Sequence, residues 1–121
     1  MEYRKFEKLN IAPSVLGFGC MRMPKKEDGT IDEAEAERMI DYAISQGVTY
    51  IDTAYPYHNG ESEPFVGKVL KKYPRDVFYL ATKLPIWELK TKEDVARIFN
   101  AQLERLGVDY VDFYLLHALD A

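Results

Sequence analysis

Tyr50-Ile51-Asp52-Thr53-Ala54-Tyr55-Pro56-Tyr57-His58-Asn59-Gly60 is a short apolar strand that ends on a carboxylate and runs into a loop carrying two tyrosines and a histidine. An acid, phenols and an imidazole at a strand end are the materials of proton chemistry. The same residues also describe a turn capped by Asp52 with tyrosines packed at a loop edge. The rest of the chain decides between the two.

Working outward, Val48 to Asp52 is one of four apolar runs. The others are Val15 to Cys20, Val77 to Lys83 and Tyr110 to Leu116, the last ending on His117. Between them lie helical patterns. Thr30 with Glu33 is a capping-box pair that opens a helix from about Ile31 to Gln46, stopped by Gly47. Ser62 can cap a helix whose apolar side is Phe65, Val66, Val69 and Leu70, ended by Pro74. Thr91 can cap a third, where Val95, Ile98, Phe99, Gln102, Leu103 and Leu106 trace one face up to Gly107. Tyr3 to Phe6 and Ile11 to Val15 flank Lys8-Leu9-Asn10 and form a candidate hairpin, with Pro13 interrupting its second arm.

The strand ends Cys20, Asp52, Lys83 and His117 follow at intervals of 32, 31 and 34 residues, the length of one βα unit. Continuous apolar strands alternating with amphipathic helices give an α/β fold with a parallel sheet, either an open doubly wound sheet or a (β/α)8 barrel of the TIM type. Functional groups gather at the carboxyl ends of the strands in both. An open dinucleotide-binding sheet carries GxGxxG at its first turn. Here Gly17 and Gly19 are followed by Arg22 in place of the third glycine, which favours the barrel. Eight such units take about 250 residues. Residues 1–121 read as one domain, the amino-terminal half of a barrel.

Charge and composition exclude several classes. A net charge of -4 with interspersed signs offers no basic stripe for nucleic acid, and no stretch approaches the ~20 apolar residues of a membrane span. The single Cys20 makes no intrachain disulfide or zinc framework, which fits a reducing cytoplasm. Nothing beside it activates its thiol. His58, His117 and Asp52 lack the short-range spacing of a metal site, so no metal is expected.

At the mouth of adjacent parallel strands, Asp52, Lys83 and His117 converge, with Tyr57 on the loop beyond Asp52. Three ionisable groups ending three apolar strands are costly unless paired or used. A phenol is a slow proton donor near neutrality unless a cation stabilises its anion, and an ammonium held by a carboxylate does that. An imidazole can hydrogen-bond a carbonyl oxygen. Trp87, just past the lysine strand, either walls an apolar pocket or packs on its own loop.

At these residues the sequence resembles the aldo-keto reductase family. Asp52-Thr53-Ala54-Tyr55-Pro56-Tyr57 is similar to its D-x-A-x-x-Y motif, Ala81-Thr82-Lys83 to its lysine strand and Leu115-Leu116-His117 to its histidine strand. The resemblance implies an oxidoreductase that reduces aldehydes or ketones with NADPH or NADH. By it, Tyr57 is the general acid, Lys83 and Asp52 tune and position it, and His117 orients the substrate carbonyl. It also implies that Gly19, Cys20, Met21 and Asp52 lie near the nicotinamide. Leu16 to Pro24 and Tyr55 to His58 look most like a microbial branch whose longer members carry a carboxyl-terminal ferredoxin-like module. An iron-sulfur cluster belongs only to such a longer parent.

The family holds most of its cofactor with loops after later strands. Two expectations follow. The chain is a reductase whose open sheet pairs with a second copy or with the missing half-barrel, or is a fragment of a longer product. Alternatively it is a non-catalytic half-barrel acting as an assembly or binding module. The expected partner is a small carbonyl substrate, with no nucleic acid and no membrane.

Overall fold

A computed structural model describes residues 1–119; Asp120 and Ala121, the last positions of the expected 1–121 domain, lie outside the described residues. The elements follow as β1 (Gly17–Gly19), α1 (Glu33–Ser45), β2 (Tyr50–Asp52), α2 (Ser62–Leu70), β3 (Tyr79–Pro85), α3 (Glu93–Leu106) and β4 (Phe113–His117). The sheet order is β1-β2-β3-β4, and every neighbouring pair is parallel, so each connection crosses back through a helix. The fold is α/β, as the alternation of strand and helix patterns indicates. Among the described residues no helix is long and apolar enough to cross a membrane.

Several boundaries differ from the sequence reading, each for a local reason. Helix α1 starts at Glu33 because Asp32 is its cap, with Oδ1 accepting from the Glu35 amide at 3.3 Å. Thr30 instead turns back on Asp28, donating from its amide at 3.0 Å and its hydroxyl at 2.6 Å. Ser62 is the first helical residue of α2 and caps nothing; its buried hydroxyl lies 2.7 Å from that of Thr53. Among the described residues no side chain caps α3; Asp94 in its first turn reaches back instead, its Oδ2 accepting from the amides of Lys90 and Thr91 at 2.7 and 3.0 Å.

The strands also begin later than their apolar runs. Ser14 and Thr49 exchange hydrogen bonds of 2.9 and 2.8 Å, and the ladder of β1 and β2 starts only beyond them. Pro74 opens a 3-10 turn, Arg75–Val77. The Arg75 guanidinium then takes the Phe78 carbonyl, the Tyr110 carbonyl and the Asp112 carboxylate at 3.1, 2.9 and 2.8 Å. The Phe78 and Tyr110 carbonyls are thereby withdrawn from strand pairing, and β3 starts at Tyr79 and β4 at Phe113.

The expected hairpin is present as two antiparallel bridges, Tyr3 with Ser14 and Phe6 with Ile11. Pro13 lacks an amide but its carbonyl accepts from Arg4 at 2.9 Å. The hairpin sits at the amino ends of the strands, where the Phe6 ring meets Phe113 edge-on at 5.8 Å and Phe113 meets Tyr50 at 5.3 Å.

The core lies between the sheet and its helices. Ile40, Ile51, Val66 and Leu80 are fully buried there, each contributing about 1.5–3 kcal/mol relative to exposure. Helix α2 crosses the end of α3 so closely that a Cβ on Gly67 would stand 2.3 Å from the Leu106 carbonyl oxygen. Only glycine fits that crossing. The other sheet face is uncovered: Leu115 is exposed, and a cavity of about 530 Å³ opens beside Phe6, Gly19, Tyr50 and Asp52.

Candidate functional site

Strand alternation places the site. Asp52 pairs with Ala81, so Lys83, two residues on, emerges from the same face of β3 at the carboxyl end. Its ammonium donates to both carboxylate oxygens of Asp52 at 3.0 Å and to the Thr53 carbonyl at 2.9 Å. The two side chains are only 16% and 28% exposed, so water screens the pair weakly.

Tyr57 arrives on the loop after β2. Directly after it His58, Asn59 and Gly60 all take left-handed φ values of 53, 55 and 87°, a tight reversal that suits Asn and Gly and strains the histidine. His58 is held in that conformation by its ring: Nε2 accepts a hydrogen bond from the Met23 amide at 3.1 Å. Burial, then Lys25, draws the His58 pKa below its usual value, against the pull of Glu61 and the Cys20 carbonyl. The neutral ring that accepts from Met23 is therefore the favoured form.

The Lys83 ammonium stands 4.9 Å from the centroid of the Tyr57 ring. His117, at the end of β4 opposite Pro85, meets the Tyr57 ring edge-on at 5.8 Å and the Trp87 ring at 5.1 Å. Its Nδ1 is buried without a partner. Burial, then the Lys83 charge, lowers the His117 pKa, with Asp52 opposing. The four residues singled out in the sequence thus meet in one place. Tyr55 does not join them: it lies under the Arg105 guanidinium, 5.0 Å from ring centroid to charge.

The segment after β1 borders the same site. Gly19 pairs with Asp52, and nothing lies within 4 Å of where its Cβ would be, so its front is open. Met21 is exposed. Cys20 is fully buried and donates its amide to the Asp52 carbonyl at 2.9 Å. Burial and the nearby Asp52 push its thiol up to about 12, with Lys83 opposing, so it presents backbone rather than a reactive sulfur.

A second polar layer lies on the opposite face of the sheet and escaped the sequence reading. Thr53, Ser62, Glu63, Thr82 and Gln102 are all fully buried there. Glu63 Oε2 accepts from the Thr82 hydroxyl at 2.7 Å and from Gln102 at 2.9 Å, while Oε1 accepts from Arg105 Nε and Nη2 at 3.1 and 2.9 Å. One sequence signal pointed there: Gln102 occupies the apolar stripe of α3, where an unpartnered amide would be costly.

The profile of the Aldo/keto reductase family matches residues 15–121. The chain is 36% identical over 115 residues to a probable aldo-keto reductase 1 of Glycine max, covering 88% of this chain and 33% of that protein. It is 38% identical over 125 residues to an aldo-keto reductase of Bacillus subtilis (strain 168), covering 97% and 38%. Among solved structures, an aldo-keto reductase of Klebsiella pneumoniae in complex with NADPH superimposes with a TM-score of 0.80 at 28% identity, over 100% of this chain and 41% of that one. The chain therefore spans about a third of the length of the curated relatives it matches.

Proposed function

The chain belongs to the aldo/keto reductase family, and from that premise we propose that its strand ends form the proton-delivery half of an NAD(P)H-dependent carbonyl reductase. The observation that carries the reading is the Lys83 ammonium, fixed between the Asp52 carboxylate and the Tyr57 ring with His117 alongside. Tyr57 donates its hydroxyl proton to the carbonyl oxygen of an aldehyde or ketone as the carbonyl carbon accepts a hydride, giving the alcohol. The adjacent ammonium stabilises the charge left on the phenol oxygen, and Asp52 holds that ammonium in place. His117, neutral at pH 7, hydrogen-bonds the carbonyl oxygen and sets its orientation.

A nicotinamide cofactor, NADPH or NADH, supplies the hydride when bound. The residues of this chain suit it: Gly19 leaves open space beside Asp52, Met21 is exposed, and Cys20 contributes its backbone. The uncovered sheet face and the β4 edge suit a covering half-barrel, from a second copy or from a family-length polypeptide. The single buried Cys20 suits a reducing cytoplasm.

A second reading, a non-catalytic assembly or binding module, is favoured by the one-third coverage of the relatives, since the family holds most of its cofactor with later loops. Quenching of tryptophan fluorescence by NADPH or NADH, followed by cofactor oxidation with a panel of aldehydes and ketones, separates the two. The Tyr57→Phe variant is expected to keep cofactor binding and lose about 100-fold or more in turnover. Undiminished turnover in that variant removes Tyr57 as the acid; a chain that binds neither cofactor supports the second reading.

A further inference from the structure

We propose that Gln102 is a positioning residue for Lys83, gripping the lysine's main chain from the helix layer while Asp52 and Thr53 grip its ammonium from the front. The role rests on the reductase reading for its catalytic meaning, but its geometry stands alone. In β3 the Ala81 carbonyl accepts from the Thr53 amide, on the side of β2. Two residues on, the Lys83 carbonyl points to that same side, where β2 has already ended at Asp52. No ladder partner remains for it. Gln102 Nε2 supplies the missing donor at 2.9 Å.

The carboxamide cannot swing away or flip. Its Nε2 is also drawn by Glu63 Oε2 at 2.9 Å, a carboxylate that only accepts, and its Oε1 takes the Tyr114 hydroxyl at 2.5 Å. Glu63 in turn is anchored by Arg105 from α3 and by the Thr82 hydroxyl, one residue before Lys83. Gln102, Glu63 and Thr82 are fully buried, so no water stands in for a lost partner. A leucine would satisfy the apolar stripe of α3 just as well. The amide is needed because the strand end that carries Lys83 runs past β2, which leaves it held by the β4 ladder on one edge only.

The test reads Lys83 directly, by NMR hydrogen exchange of its side-chain ammonium in a 15N-labelled chain. Lys72, paired with Glu37 and Asp41 away from this layer, is the internal control. In Gln102→Leu the Lys83 ammonium is expected to exchange about tenfold faster while Lys72 is unchanged. Tyr114→Phe, which keeps Gln102 but frees its carbonyl, is expected to give a change of about threefold and serves if the first variant does not fold. No change at Lys83, or an equal change at Lys72, overturns the positioning role. A selective change at Lys83 in a chain that shows no turnover before or after substitution supports the positioning role and counts against the reductase reading alone.

Discussion

Lys83 and Asp52 form a two-pronged ion pair at the mouth of the sheet, with the ammonium 3.0 Å from each carboxylate oxygen. The pair is mostly shielded from water, so removing one partner strands the other. Lys83→Met is expected to destabilise the fold by about 1–3 kcal/mol, read from urea denaturation at neutral pH. Adding Asp52→Asn should recover part of that stability and none of the turnover. Full recovery of both would mean that the pair serves packing only.

Cys20 should be silent in the native state. With its thiol pushed up to about 12 by burial and Asp52, almost no thiolate exists at mildly alkaline pH. Iodoacetamide is expected to leave the folded chain unmodified and to label it stoichiometrically in urea, as seen by intact mass. Rapid native labelling would show that the end of β1 opens readily.

Gly67→Ala reverses the usual helix rule. Alanine in a helix interior normally gains about 1 kcal/mol over glycine. Here the new methyl group meets the Leu106 backbone carbonyl at 2.3 Å, which must move. A net loss of about 1–3 kcal/mol is expected in the urea midpoint, with little change in the dependence on urea concentration.

Mild acid should weaken the fold through two histidines. His58 and His117 both have pKa values below the ordinary 6.5, chiefly through burial. Above that value both folded and unfolded chains carry neutral rings and these residues add no pH dependence. Below it the unfolded chain binds protons that the folded chain resists, so stability falls with pH until the folded values are passed. Denaturation midpoints at successive pH values should decline through this window. In His58→Gln, whose carbonyl oxygen can still accept from Met23, the decline should be shallower.

The carboxyl-end regions of the strands were legible because Asp52, Lys83 and His117 each interrupt an apolar run at nearly equal spacing, the pattern of repeated βα units, although β3 runs two residues beyond Lys83, to Pro85. Caps were harder. Thr30 and Thr91 carry the right side chains, but Thr30 is turned back on Asp28 while Asp32 takes the Glu35 amide, and ahead of α3 the Lys90 and Thr91 amides go to Asp94. The rear polar layer was illegible for another reason. Glu63 reads as an exposed first-turn acid and Thr82 as an ordinary strand threonine. Only the packing of α2 and α3 against β3 brings Glu63 within reach of residues 19, 39 and 42 positions away.

The unbroken strand order has a consequence for synthesis. Gly17 pairs with Tyr50, Tyr50 with Tyr79, and Ala81 with Phe113, so each strand docks on the one translated just before it. The growing sheet never has to hold a gap open for a distant strand, and no partial product contains a misplaced central slot. Assembly can proceed by accretion at one edge as the ribosome delivers it. The proposed proton-donor loop is complete by Gly60, but the Lys83 that holds it comes only with the third strand and the His117 beside it only with the fourth.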